Sequence, residues 1–273
     1  MREHPVLAYF FLAFLISWGG IAALLLPGGL PKTDSELEAL YLPVFLAMLC
    51  GPSTAGLAMT LLLDGRAGLA ALFRSFTRWR VGFGYYLFAL VAPAIALIVL
   101  GGFSAFSPVF IPTVLGASGG VALLAVSLVT GFAAGLLEEL GWTGFAARRL
   151  LPTRSVVVTA VLIGVPHGIW HLLAGYFWGD GASFGLIFIP YFISAWIVTL
   201  TALRMLIVWL YQRTQSGLVA ALTHAGYTAS LMALWPVGTT PWETMVWTGV
   251  FAGALLAAAT ALTLSFPNKL VPA

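Results

Sequence analysis

Apolar runs about as long as a bilayer is thick recur along this sequence, and charge is largely confined to the gaps between them. A helix needs about 20 consecutive apolar residues to cross a hydrocarbon core roughly 30 Å thick. Only 8% of the 273 residues are charged, against about 25% in soluble domains, so a soluble fold is excluded. The expected fold is all-α, a polytopic membrane bundle of about eight transmembrane helices in a single integral-membrane domain, 1–273. The runs place spans at 6–27, 40–63, 84–102, 120–147, 155–177, 184–211, 216–235 and 244–266.

The net charge of +3 is topological and not a nucleic-acid footprint. With a cytoplasmic N-terminus, eight spans put Arg2, Arg66, Arg74, Arg78, Arg80, Arg148, Arg149, Arg154, Arg213 and Lys269 inside, with Arg204 near the inner end of its helix. Lys32, Asp34, Glu36, Glu38, Asp180 and Glu243 fall outside. This asymmetry follows the positive-inside rule and predicts both termini in the cytoplasm, in the cell membrane. The first run exceeds 20 residues and lacks a small-x-small cleavage site, so it is expected to be retained as a helix. The stretch from Asp64 to Gly82 is basic and apolar at helical spacing; it reads either as an amphipathic helix on the inner surface, lying against membrane lipids, or as an ordinary loop. The uncharged loop 102–119 is expected to lie across the outer surface. Cys50 is the single cysteine, so no internal disulfide forms.

Removing the residues near helix ends leaves five ionisable groups within the spans: Glu138, Glu139, His167, His171 and His224. A carboxylate in hydrocarbon costs about 2.5–3.5 kcal/mol on insertion scales, and such groups usually face a bundle interior or a water-filled cavity. Glu138 and Glu139 sit roughly 15 Å from the inner end of their span, His224 roughly 12 Å and His171 roughly 24 Å. A tilt or a cytoplasmic funnel would bring them into one layer. Adjacent helical positions diverge by about 100°, so one glutamate is free to face a cavity while the other bonds a neighbouring helix. His167 and His171 share a helix face at i, i+4, a spacing that suits metal ligands, but Gly168 stands where a zincin motif carries glutamate. Taken singly, each histidine reads as an interhelical hydrogen bonder, and small residues around His224 allow close packing. Together with two carboxylates they support hydrolysis. A glutamate among apolar side chains serves as general base on water, and a histidine orients that water, binds a metal or stabilises an oxyanion. No serine or threonine adjoins a histidine within these motifs, which makes covalent catalysis the weaker reading.

The run EELGWTGFAARRL, with Trp142 in it, resembles the first motif of the CAAX protease and bacteriocin-processing (CPBP, or Abi) family of intramembrane proteases. HGIWHL resembles its FxxxH motif and HAGYT its third, a histidine followed four residues later by Asn or Asp. The resemblance covers about 45–235, with a catalytic core at about 120–235. It implies a CAAX-protease-like endopeptidase, a metalloprotease in the family's usual description, that cleaves a peptide or protein substrate with a membrane-associated segment. It further implies that Glu138 activates water, that Glu139 and His171 orient it, and that His224 contributes to an oxyanion or metal environment. Where a metal takes part, the implied ligands are Glu139, His171 and His224, a set suited to zinc by ligand type. Three positions depart from the family pattern: Thr143 replaces the arginine of EExxxR, His167 the phenylalanine of FxxxH, and Thr228 the Asn/Asp. His167 is placed to compensate, whereas Arg148 and Arg149 would have to bend back. The competing readings are a catalytically weak membrane scaffold or immunity factor that binds peptide in the same cavity and, less favoured, a transporter with a Glu/His proton relay.

Overall fold

The computed structural model describes residues 3–31, 33–116, 119–177, 180–236 and 238–266. Arg2, Lys32 and Lys269, three of the charges used to orient the chain, lie outside the described residues. The architecture is the expected all-α polytopic bundle, and among the described residues seven helices are long and apolar enough to cross a membrane. They are α1 (Pro5–Leu25), α2 (Asp34–Phe76), α3 (Phe83–Ser104), α4 (Gly120–Leu150), α7 (Gly185–Thr214), α8 (Gly217–Leu234) and α9 (Pro241–Ser265). The remaining expected span, 155–177, is divided. It forms α5 (Val156–Trp170, 15 residues) and α6 (Leu172–Phe177), with His171 at the break between them.

Local chemistry sets the ends of these helices. Thr33, Ser155, Ser216 and Thr240 cap α2, α5, α8 and α9 through their hydroxyls, and Thr240 with Glu243 completes a reciprocal capping box. Gly65 (φ 64°, ψ −162°) breaks α2 in a backbone region essentially reserved for glycine. The membrane-length part of α2 therefore ends at Asp64, and a second helical stretch runs on to Phe76. The stretch between Asp64 and Gly82, expected as either an amphipathic helix or a loop, is thus helical as far as Phe76.

Packing places α4 along α8 and α2, and α7 along α5 and α9. Two glycine pairs at i, i+4 permit close approaches. A Cβ on Gly135 would lie 2.3 Å from the Ala221 carbonyl oxygen of α8, and one on Gly168 would lie 2.7 Å from Ile197 Cα of α7. With Gly131 and Gly164 one turn earlier, these are small-residue seams of the kind that join membrane helices. Segments expected on one side of the membrane also meet one another. Arg149 pairs with Asp64 at 2.8 Å, and Ser216 Oγ donates to the Arg78 carbonyl at 2.6 Å. At the opposite end residues 105–116, within the expected outer loop, fold back. Phe110 is buried with Trp247, and the Thr113 amide donates to the Trp235 carbonyl at 3.0 Å.

Two π-helical turns interrupt the regular pattern, at Trp142–Ala147 in α4 and at Ile193–Val198 in α7. Such turns concentrate at functional sites because they re-aim side chains within a helix. The first begins three residues after Glu139. The second packs against α5 and carries Trp196, whose ring stacks on His171 at 4.3 Å.

Candidate active site

The two adjacent glutamates of α4 diverge, as the helical geometry requires. Glu138 is 3% exposed and Glu139 0%. Glu138 accepts from Trp142 Nε1, one turn along α4, at 3.2 Å, and its partner on α5 is His167 Nε2 at 2.9 Å. Both contacts fall on Oε2, and no hydrogen bond to Oε1 is present among the described residues. Glu138 lines a cavity of about 420 Å³ together with His171, His224 and Thr228.

Glu139 is saturated. Its Oε2 accepts from the Thr143 hydroxyl and from Arg204 Nη1 at 2.7 Å; its Oε1 accepts from Arg204 Nη2 and from His224 Nδ1, the latter at 2.7 Å. Arg204 comes from α7 and is completely buried. A bidentate guanidinium–carboxylate pair is among the strong protein hydrogen-bonding arrangements, and here it also removes the cost of two lone buried charges.

The histidines complete the layer. The His167 ring lies 4.9 Å from that of Trp142, 5.3 Å from His171 and 5.7 Å from His224. His171 terminates α5, with its ring between Trp170 and Trp196. Glu138, His167 and His224 each offer a ligand atom, all within 4.8 Å of one another. A further sign of fit is His167 Nδ1, which is buried without a hydrogen-bond partner among the described residues. Of the expected ligands His224 belongs to this group, beside Glu138 and His167, while both Glu139 oxygens are engaged in hydrogen bonds.

The structure brings every sequence-derived site residue to one place. Glu138 bonds His167 and Glu139 bonds His224, His171 and Thr228 line the cavity, and Trp142 and Thr143 hold the two carboxylates. Arg148 and Arg149 do not supply the missing motif cation. Arg149 lies over the Phe145 ring and pairs with Asp64. The residue the sequence reading missed is Arg204, counted there as an inner-end charge. It precedes Arg213 by nine residues, or roughly 14 Å of helix, the same depth criterion that singled out Glu138.

Residues 120–230 match a family model, Type II CAAX prenyl endopeptidase Rce1-like. This is the family expected from the motifs. The matched segment begins where α4 begins and holds every residue of the site, Arg204 included. Curated proteins give no match to the chain.

Proposed function

We propose that this integral, multi-pass membrane protein is an intramembrane endopeptidase that hydrolyses peptide bonds of membrane-associated substrates with water activated by Glu138. One observation carries the reading: of two buried carboxylates, Glu139 has both oxygens engaged, whereas Glu138 keeps Oε1 without a hydrogen bond among the described residues, at the edge of a cavity. The Trp142 and His167 contacts on Oε2 orient the group. Oε1 then receives a proton from a water in the cavity as the hydroxide adds to the scissile carbonyl, and Glu138 delivers that proton to the departing amine. His171 and Thr228 line the same cavity and are candidate donors for the developing oxyanion. Tyr41, Phe45, Trp235, Trp247 and Phe251 make the rest of the wall apolar and aromatic, which suits a hydrophobic segment or a lipid-bearing residue beside the cleaved bond.

Glu138, His167 and His224 would hold a zinc ion by ligand type, and bound zinc would polarise the carbonyl and acidify water. Metal content of the purified protein, and of Glu138→Gln and His167→Phe, tests that use of the site. The family match supports the peptidase class. The test is cleavage by purified protein in liposomes of a peptide panel that includes a farnesylated CAAX peptide and apolar transmembrane peptides, with products mapped by mass. Absence of any product at enzyme excess would return the site to the scaffold reading.

We further propose that both termini lie in the cytoplasm of a protein of the cell membrane, with Asp34 and Asp180 on the other side, toward which the cavity extends along Tyr41, Trp235 and Trp247. The arginine asymmetry supports this. Reporter fusions after Arg78 and after Asp180 are expected to report opposite sides, and a common side would overturn it.

A further inference from the structure

Arg204, like its partner Glu139, is a buried charge of the site that the proposed hydrolysis does not use. It lies in the membrane-length helix α7 with no exposed surface, where an arginine is costly to place. Its planar fork closes on both oxygens of Glu139, which fixes the plane of that carboxylate in a way a lysine ammonium does not. Oε1 of Glu139 also meets His224 Nδ1 at 2.7 Å. An ionised carboxylate only accepts, so Nδ1 carries the hydrogen. Arg204 Nη2 lies 3.4 Å from the same Nδ1; the two are donors converging on one oxygen, not partners of each other. In the neutral ring Nε2 then holds the lone pair, and His224 lines the cavity alongside Glu138.

We propose that Arg204 is a positioning residue: by forking onto Glu139 it fixes the Nδ1–H tautomer and the ring plane of His224, and so sets what His224 presents to the substrate. The kinetic consequence rests on the endopeptidase reading, whereas the tautomer rests on geometry alone. The bland alternative is a structural pair that only ties α7 to α4. Thr143 provides a way to separate the two. Its hydroxyl reaches Oε2 of Glu139 from one turn along α4, so an arginine at 143 approaches the same carboxylate from the other helix.

The experiment uses the full chain in lipid nanodiscs with ring-¹⁵N histidine. The chain has four histidines, and the His224 resonances are assigned by their loss in His224→Asn. Wild type, Arg204→Lys and the double variant Arg204→Met/Thr143→Arg are compared by thermal midpoint, by ¹⁵N tautomer state, and by kcat and KM on the farnesylated CAAX peptide. Arg204→Lys is expected to stay folded, to lose the single Nδ1–H state of His224, and to lower kcat about 10–100-fold, the range for groups that orient a reactive ligand, with KM unchanged. The double variant is expected to regain both the tautomer and most of kcat. A folded Arg204→Lys with wild-type kcat and a wild-type His224 signal would overturn the proposal, as would a folded double variant that restores neither. Arg204→Lys keeps the charge and decides the matter even where the double variant does not fold. A wild type that leaves the peptide uncut removes the endopeptidase reading for that substrate, while the ¹⁵N arm still decides the role of Arg204.

Discussion

The two sides of α4 around residues 138 and 139 treat the same side chain in opposite ways. On the cavity side, Glu138 meets two groups, Trp142 and His167, both on a single oxygen. On the α7 side, Glu139 meets a guanidinium fork, a hydroxyl and an imidazole that together occupy both oxygens. The two differ little in burial, 3% against 0%. What separates them is the lone pairs left over: a carboxylate with a spare oxygen beside a cavity can take a proton, whereas one with every acceptor position filled holds other groups in place.

The largest expected effect comes from breaking the saturated side. Glu139→Gln leaves Arg204 buried without a counter-charge, and unpairing a buried ion pair costs about 3–5 kcal/mol. Denaturant or thermal unfolding in mild detergent should show that loss, and a stability equal to wild type would mean that the pair is not what holds α4 to α7. A smaller effect is expected on the cavity side. His167→Phe removes one of the two Oε2 contacts and should lower kcat about 10–100-fold, or about 1.4–2.8 kcal/mol on the barrier, with stability little changed. Turnover within twofold of wild type would show that Trp142 alone orients Glu138. The smallest effect belongs to the other ion pair that joins α4 to a neighbouring helix. Arg149–Asp64 is partly exposed, so Arg149→Ala should cost no more than about 1 kcal/mol of stability and nothing in turnover. A loss as large as that from Glu139→Gln would erase the contrast between buried and exposed pairs.

The helices and the divergence of the glutamates were legible in the sequence, because apolar run length and the 100° helical step are properties of the chain itself. The partners across helices were less so. The depth estimate for His171, roughly 24 Å against roughly 15 Å for the glutamates, called for a tilt or a funnel. His167, one turn nearer the inner side, fits the glutamate layer without either and is the residue that bonds Glu138. Arg204 was hidden by its sign, since arginines at inner helix ends are the rule, and only distance from Arg213 marked it as too deep. The π turns at Trp142–Ala147 and Ile193–Val198 left no trace in hydrophobic periodicity, because one extra residue in a turn changes the aim of side chains without changing how apolar the run is. The substitution of Thr143 for a motif arginine looked like a lost cation. In the fold the cation reaches Glu139 from α7, and the threonine hydroxyl joins it there.

The most direct test of the account is the cleavage rate of Glu138→Gln beside wild type, in proteoliposomes, on whichever panel peptide wild type cuts, with thermal midpoints recorded on the same preparations. Glutamine keeps the shape and the carbonyl acceptor but cannot take a proton from water. The account predicts a folded protein with an unchanged midpoint and a rate lower by about 10²–10⁴-fold, the usual contribution of a general base. Cleavage by Glu138→Gln at the wild-type rate would contradict it.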